Sequence, residues 1–324
     1  MAYDLIAIGD SGIDTLVQIH EASVHCNLNR EDCQLCIRYA DKILADDLHT
    51  KTAYNANNNA VGSARLGLQT AFYTVVGGDT NGRRILETLK DEGVDTKYVA
   101  IDRSKKTNAS VVINFQGERT ILVYHERYRY HLPKFARTKW FYVTSTGHNF
   151  LPLYNALARY ASRVKAKVGF NPGTFQLKAG VKKLKPMLKA STILFLNKEE
   201  ARLLTGIHEE ADIKELLRGM RRLGPPIAVL TDGPKGSYAL DGEHYYHLGI
   251  FPAQVVERTG AGDSFATAFV AALLYGHDVA EALRWGSINS ASVIQKIGPQ
   301  DGLLKLIALR RVLKTHPRFL PRRS

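Results

Sequence analysis

From Lys139 onward the chain alternates in a pattern that few architectures can accommodate. Apolar, strand-like runs at 140–144, 167–171, 192–196 and 226–231 are separated by amphipathic stretches at 152–163, 177–189, 199–205 and 210–223. Parallel strands need long crossover connections, usually helices, so this alternation predicts a mostly parallel central sheet with helices on both faces. A hairpin-like stretch at 236–247 and helices at 261–275, 278–295 and 303–314 close the pattern. The first apolar run, Asp4-Leu5-Ile6-Ala7-Ile8, passes through Gly9 into a loop that carries Asp14. Ligands of open α/β sheets collect beyond the carboxyl ends of the strands, which places Asp14 where a substrate could meet it.

Two regions stand outside this rhythm. Residues 15–52 lack helical periodicity and read as strands and loops, and 109–115 with 119–124 form a hairpin around Gln116-Gly117-Glu118. Together they suggest a small second sheet over the site. The expected organisation is an α/β core of residues 1–13, 53–96 and 127–324, with a discontinuous β lid of residues 14–52 and 97–126.

Three loci carry candidate chemistry. Val255 to Arg258 is extended and leads into Thr259-Gly260-Ala261-Gly262-Asp263, after which apolar residues at 265, 268, 269, 272 and 273 have helical spacing as far as Gly276. The unpaired N–H groups at such a helix start can hold an anion. Asp263 there is either a cap or a reacting carboxylate. A second locus, Asn55-Ala56-Asn57-Asn58-Asn59, opens a small-residue helix ending at Gly67. One asparagine suffices as a cap, so the cluster also points to hydroxyl recognition. The third is Cys26, Cys33 and Cys36, the chain's three cysteines. With His20 and His25 nearby they could hold zinc, although the spacing fits no standard motif and unligated, reduced thiols are the favoured reading. Their odd number argues against a structural disulfide framework.

Composition narrows the classes. No uninterrupted run of about 18 apolar residues exists, which argues against a membrane-spanning helix, and the start of the chain has no basic leader pattern, so a cytoplasmic location is expected. The formal net charge of +13 comes partly from the last segment, including Arg310, Arg311, Lys314, Arg318, Arg322 and Arg323. No aromatic and basic recognition motif accompanies it, so anionic small molecules are favoured as partners over nucleic acid.

Taken together, Thr259 to Phe265, Asn197-Lys198-Glu199-Glu200, Thr231-Asp232-Gly233-Pro234-Lys235-Gly236 and Asp14 resemble the ribokinase-like (PfkB) carbohydrate kinases. Gly77-Gly78-Asp79, Gly82-Arg83, Glu92 to Asp95 and Gly117 to Thr120 fit the same family in the same order, so the resemblance covers nearly the whole chain. It implies a ribokinase-like α/β fold with a β lid, and an ATP-dependent kinase acting on a primary hydroxyl of a small sugar. Asp263 would be the base, and the amides of Gly260, Ala261 and Gly262 the anion hole. Asp14, Asn55 and Asn58 would bind the sugar. Asn197 and Glu200 would organise Mg²⁺ through water, Thr231, Gly233 and Gly236 would line the nucleotide loop, and Asn289 would contact the nucleoside part of ATP. A homodimer formed through the lid is also implied. A nucleoside kinase of the same fold is the near alternative, and a non-catalytic ligand sensor or a nucleic-acid binder the more distant ones.

The sequence departs from the family pattern at Ala53-Tyr54, where two glycines are usual, which puts pocket width and lid closure at issue. Asn171-Pro172 stands where aspartate-proline is common, and Ala268 replaces a frequent glycine. Glu257 occupies a position often aspartate in monovalent-cation sites, which leaves K⁺ activation open.

Overall fold

The computed structural model describes residues 2–27, 33–208 and 210–324. The elements in chain order begin with β1 (Tyr3–Ile8), β2 (Gly12–Ile19), β3 (Ser23–Cys26), β4 (Cys33–Cys36) and β5 (Ala45–Ala53). Then come α1 (Asn55–Arg65), β6 (Thr70–Gly77), α2 (Thr80–Asp91), β7 (Asp95–Asp102), β8 (Asn108–Phe115) and β9 (Glu118–Tyr124). The middle of the chain gives β10 (Thr138–Val143), α3 (Phe150–Val164), β11 (Lys167–Phe170), α4 (Thr174–Ala179), α5 (Val181–Ala190), β12 (Ile193–Asn197), α6 (Lys198–Thr205) and α7 (Ile213–Arg222). It ends with β13 (Ile227–Thr231), β14 (Ser237–Asp241), β15 (His244–Leu248), α8 (Ala261–Leu274), α9 (Val279–Val293), α10 (Leu306–Thr315) and β16 (Arg322–Arg323).

Ten strands form one sheet in the order β16-β15-β14-β13-β12-β11-β10-β1-β6-β7, parallel from β13 to β7 and antiparallel beyond β13. Side chains alternate along each strand and so feed two cores. In β1, Leu5 and Ala7 join a cluster with α1, α8 and α9, whereas Ile6 and Ile8 join a cluster with α3, α5, α6 and α7. This is the helix-covered parallel sheet that the alternation predicts. The order turns at β1, flanked by β6 on one side and β10 on the other, so a crevice opens at its carboxyl end.

A separate four-stranded sheet, ordered β5-β2-β8-β9, provides the small second sheet, and β3 with β4 forms an outlying ribbon. Its pairing is mixed: β2 runs parallel to β8 and antiparallel to β5, and β9 is antiparallel to β8. The boundary expected at residue 97 falls inside β7, which pairs with β6 in the large sheet. The helix expected over 177–189 is two helices, α4 and α5, because Gly180 between them has φ 79°.

The cysteines correct one expectation. Cys26 and Cys33 are disulfide-bonded across the β3–β4 ribbon, and Cys36 is free. Strand pairing sets Cys26 directly opposite Cys33, a register that spacing alone does not reveal. Two of the three thiols proposed for zinc are thereby consumed, and no cluster of three or more His, Cys, Asp or Glu side chains suited to a metal occurs among the described residues. No described helix is long and apolar enough to cross a membrane.

Candidate active site

A cavity of about 450 Å³ lies over the carboxyl ends of the central strands, between the two sheets. Its lining brings together Asp14 from β2, Asn55 and Asn58 from α1, Asn197 at the end of β12, Glu200 from α6, Thr231 at the end of β13, and Gly260 to Asp263 at the start of α8. These residues are dispersed over about three quarters of the chain, and the strand order gathers them. A second cavity of about 260 Å³ adjoins it, lined by Thr231, Gly233 and Gly236 on one side and by Phe251, Phe265, Ser290 and Ile294 among its other walls. Ala261 and Gly262 face both cavities.

The start of α8 is built as the sequence suggests. Gly260 has φ 80°, and a Cβ there would stand 2.6 Å from the Pro299 side chain, so both backbone and space require glycine. α8 then buries every residue from Ser264 to Ala272, which anchors its amino end against the cavity. Asp263 lies in the first turn and makes no cap hydrogen bond to its own helix; its Oδ2 accepts from Asn58 Nδ2 at 2.8 Å. Burial pushes the Asp263 carboxyl up to about 6, against the lowering effects of the Asn58 hydrogen bond and the Arg119 charge. A carboxylate poised near neutrality at a helix amino end is suited to taking a proton from a hydroxyl.

The asparagine cluster divides by role. Asn57 donates to Ser11 Oγ at 2.6 Å and Asn59 to Thr267 Oγ1 at 2.9 Å, and both are fully buried structural links. Asn58 holds Asp263 while its own Oδ1 accepts from Gln300 Nε2 at 3.0 Å. Gln300 also donates to Asn57 Oδ1 at 2.9 Å. It is thus a clamp on the cluster from nearly 250 residues away, and no local pattern announces it.

Asp14 is buried, and burial pushes its carboxyl up to about 6, the Ser110 hydrogen bond opposing and the charges of Glu257 and Asp263 adding. Ser110 Oγ in turn lies 3.0 Å from the Tyr54 hydroxyl. Tyr54 has φ 84° and ψ 148°, so the glycine-type backbone persists although the residue is tyrosine. Its ring fits because residue 12 is glycine: a Cβ there would stand 2.3 Å from Tyr54 Cε2. The tyrosine therefore narrows the cavity.

On the other side, Asn197 and Glu200 form a reciprocal capping box at the start of α6. Asn197 Oδ1 accepts from the Glu200 amide at 2.8 Å, and Glu200 Oε2 accepts from the Asn197 amide at 3.0 Å. Burial raises the Glu200 carboxyl, against its backbone hydrogen bond and with the charges of Asp263 and Glu199 adding. Glu200 and Asp263 give this wall two carboxylates, so a hydrated divalent cation held mainly through water would fit here.

Asn289, expected at the nucleoside part of ATP, does not line the second cavity. Its Nδ2 donates to the Ser264 carbonyl at 2.8 Å and its Oδ1 accepts from the Leu304 amide at 3.0 Å, which fixes α9 and the following loop behind α8. Ser287, Ser290, Ala291 and Ile294 of the α9 region face the cavity instead. Glu257, 6% exposed, accepts from the Gly298 amide at 2.6 Å through Oε2, and its Oε1 has no hydrogen-bond partner. The cavity also receives Arg119, His125 and Arg258, none of them assigned a role from sequence, and Arg258 pairs with Glu118 at the tip of the β8–β9 hairpin at 3.3 Å. The alternation Arg119, Ile121, Val123 places one face of β9 over the cavity, a period-two signal readable in the sequence once the strand is assigned.

The fold is ribokinase-like, and its site sets a carboxylate at a glycine-opened helix start between two adjoining cavities. The family model described as "pfkB family carbohydrate kinase" matches residues 15–306, and the chain belongs to this family. An uncharacterized sugar kinase of Archaeoglobus fulgidus is 28% identical over 250 residues, covering 75% of this chain and 98% of that protein. A 5-dehydro-2-deoxygluconokinase of Halalkalibacterium halodurans is 27% identical, covering 93% and 91%. Among solved structures, a ribokinase of Arabidopsis thaliana complexed with ribose and ATP superposes with TM-score 0.80 at 23% identity, covering 97% of this chain and 99% of that one. A nucleoside kinase of Methanocaldococcus jannaschii gives 0.76 at 18%, covering 96% and 98%. The chain is thus a carbohydrate kinase of the ribokinase-like fold.

Proposed function

We propose that this kinase transfers the γ-phosphoryl group of ATP to a primary hydroxyl of a small sugar, with Asp263 as the base. The observation that carries this reading is the Asp263 carboxylate, raised to about 6 and held by Asn58 at the glycine-opened start of α8, where the Ala261 N–H donates to the Arg258 carbonyl at 3.3 Å. Asp14, Asn55 and Asn58 orient the sugar: an ionised carboxylate accepts from hydroxyls, and an amide both donates and accepts. The proton leaves the hydroxyl for Asp263 as the hydroxyl oxygen bonds to the γ-phosphorus and the bond from that phosphorus to the bridging oxygen of the β-phosphate breaks, releasing ADP. The amides of Gly260, Ala261 and Gly262 receive the charge that develops on the transferring group, the Ala261 N–H giving up its 3.3 Å bond to the Arg258 carbonyl to do so, and positioning and electrostatics dominate the rate. Arg119 adds positive charge from the lid side, since its field already acts on Asp263.

ATP occupies the slot lined by Thr231, Gly233 and Gly236, and its base lies toward Phe251 and Ile294. When bound, Mg²⁺ neutralises phosphate charge, and Asn197 with Glu200 would hold it through water. Glu257 Oε1 offers an oxygen for K⁺, a role that equal rates in potassium and tetramethylammonium salts would remove. A homodimer through the lid would cover exposed Leu48 and Leu122; a monomeric mass by light scattering at assay concentration would remove that part. The function itself is tested by a screen of sugars and nucleosides for ADP release with Mg-ATP. Release with sugars bearing a primary hydroxyl is expected, and release with none of them, or with nucleosides alone, would contradict the reading.

A further inference from the structure

Phosphoryl transfer moves a charged group from one cavity into the other, and few side chains stand where the two cavities meet. Thr231, Arg258, Ala261, Gly262 and Phe265 line both. Arg258 alone among them is cationic, and among the described residues lining the second cavity it is also the sole charged side chain. Arg119 lines the acceptor cavity only. A triphosphate in the second cavity therefore meets a single cation in its walls.

The backbone around Arg258 is fixed on both sides. Upstream, the Val256 and Glu257 amides donate to the Ile294 carbonyl at 2.8 and 3.1 Å, and Glu257 Oε2 accepts from the Gly298 amide at 2.6 Å. Downstream, the Arg258 carbonyl accepts from the Ala261 amide at 3.3 Å, within the turn that opens α8. A side chain on such a base points into the same space in every molecule.

The guanidinium, by contrast, is only loosely committed. The Arg258 side chain is 50% exposed, and it pairs through Nη1 with Glu118 Oε1 at 3.3 Å, a carboxylate 74% exposed at the tip of the lid hairpin. Exposed pairs of this kind contribute little, because water screens both charges. A guanidinium fork can instead hold phosphate oxygens through two N–H groups at once, and a terminal phosphate carries more charge than a carboxylate. Glu118 is thus a partner that Arg258 can exchange for phosphate.

We propose that Arg258 is a further catalytic residue, which leaves Glu118 to grip the γ-phosphate of ATP and holds the phosphoryl group as it crosses to the acceptor. The bonds made and broken are those of the transfer itself, and Arg258 exchanges no proton: its N–H groups donate to γ-phosphate oxygens as charge shifts among them. This deepens the kinase reading and rests on it for the nucleotide. Its first test reads binding without an acceptor, so failure to phosphorylate any sugar would sink the kinase reading without deciding this one.

The experiment is calorimetric titration of the full chain with Mg-ATP and with Mg-ADP, which differ by the γ-phosphate. Arg258→Gln should weaken ATP by about tenfold or more and ADP by less than about threefold, as loss of a charge-assisted contact to the γ-phosphate requires. Arg258→Lys, which keeps the charge without the fork, should fall between the parent and Arg258→Gln for ATP. Glu118→Gln removes the competitor and should tighten ATP while leaving ADP unchanged. A merely structural arginine would shift both nucleotides together, and thermal melting confirms that each variant folds. With an accepted sugar, Arg258→Gln should lower kcat by about 10²-fold or more. An ATP-to-ADP affinity ratio unchanged in Arg258→Gln, weaker ATP binding in Glu118→Gln, or a kcat within a few-fold of the parent would overturn the proposal, and a parent chain that binds no ATP would overturn it together with the kinase reading.

Discussion

Tyr54 occupies a backbone conformation that belongs to glycine, and that strain can be isolated by two substitutions that remove the same ring. Tyr54→Ala and Tyr54→Gly both lose the hydroxyl contact to Ser110 and the edge-on packing against His125. They differ only in the backbone. At an ordinary site alanine is the more stable of the two by about 0.5–1 kcal/mol, because glycine loses more freedom on folding. At φ 84° and ψ 148° a side-chain-bearing residue instead carries strain of about 1–3 kcal/mol that glycine escapes. The difference leaves Tyr54→Gly more stable than Tyr54→Ala by about 1 kcal/mol, reversing the usual order. Urea unfolding of the two variants side by side measures it, with a rise in midpoint temperature of about 1–3 °C as the thermal counterpart. Tyr54→Phe supplies the control: it keeps ring and backbone and should lose only about 0.5–1.5 kcal/mol with the hydroxyl bond. If alanine equals or exceeds glycine in stability, position 54 is unstrained and the tyrosine is not a residue forced into a glycine site.

Three further outcomes follow from the site. Asp263 and Asp14 both stand near 6, above the ordinary carboxylate range, so each gains a proton as pH falls through 6 and loses its ability to accept one from a hydroxyl. The kcat/KM profile should therefore be flat above about pH 7 and fall below 6 with a limb steeper than one decade per pH unit, and a profile flat to pH 5 would exclude the pair. Gln300→Ala releases Asn57 and Asn58 together, so stability should drop by about 1–3 kcal/mol. Its kcat should fall while affinity for ATP holds, because the loosened Asn58 orients Asp263, and an unchanged kcat would leave Gln300 a purely structural clamp. Asn289→Ala should destabilise by a similar amount, about 1–3 kcal/mol, through the bonds to Ser264 and Leu304; a large loss of ATP affinity with unchanged stability would restore it to the nucleotide site.

The parts legible in the sequence are those with local signatures. Strand and helix periodicity from Lys139 onward specified a covered parallel sheet, and Thr259 to Asp263 specified a helix start that can hold an anion. Asn197 and Glu200 sit three residues apart in one capping box, so their proximity is local as well. What stayed hidden was set by contacts between distant segments. Gln300 reaches Asn58 across 242 positions, and Asp10 meets Tyr130 across 120. Asn289 carried a family role by position, yet in this chain two backbone groups already satisfy its amide. The disulfide depended on hairpin register, which the cysteine spacing left undetermined. At Ala53-Tyr54 the sequence showed the substitution but not its backbone, and only the dihedral angles reveal a glycine conformation retained without glycine.

In the proposed reaction Asp263 removes the proton from the acceptor hydroxyl. Asp263→Asn keeps the size and the contact to Asn58 but lacks a basic oxygen, so the direct measurement is ADP release with Mg-ATP and an accepted sugar, beside ATP affinity by calorimetry. Loss of turnover by about 10²-fold or more is expected, with ATP binding largely retained, whereas turnover within a few-fold of the parent would rule out Asp263 as the base.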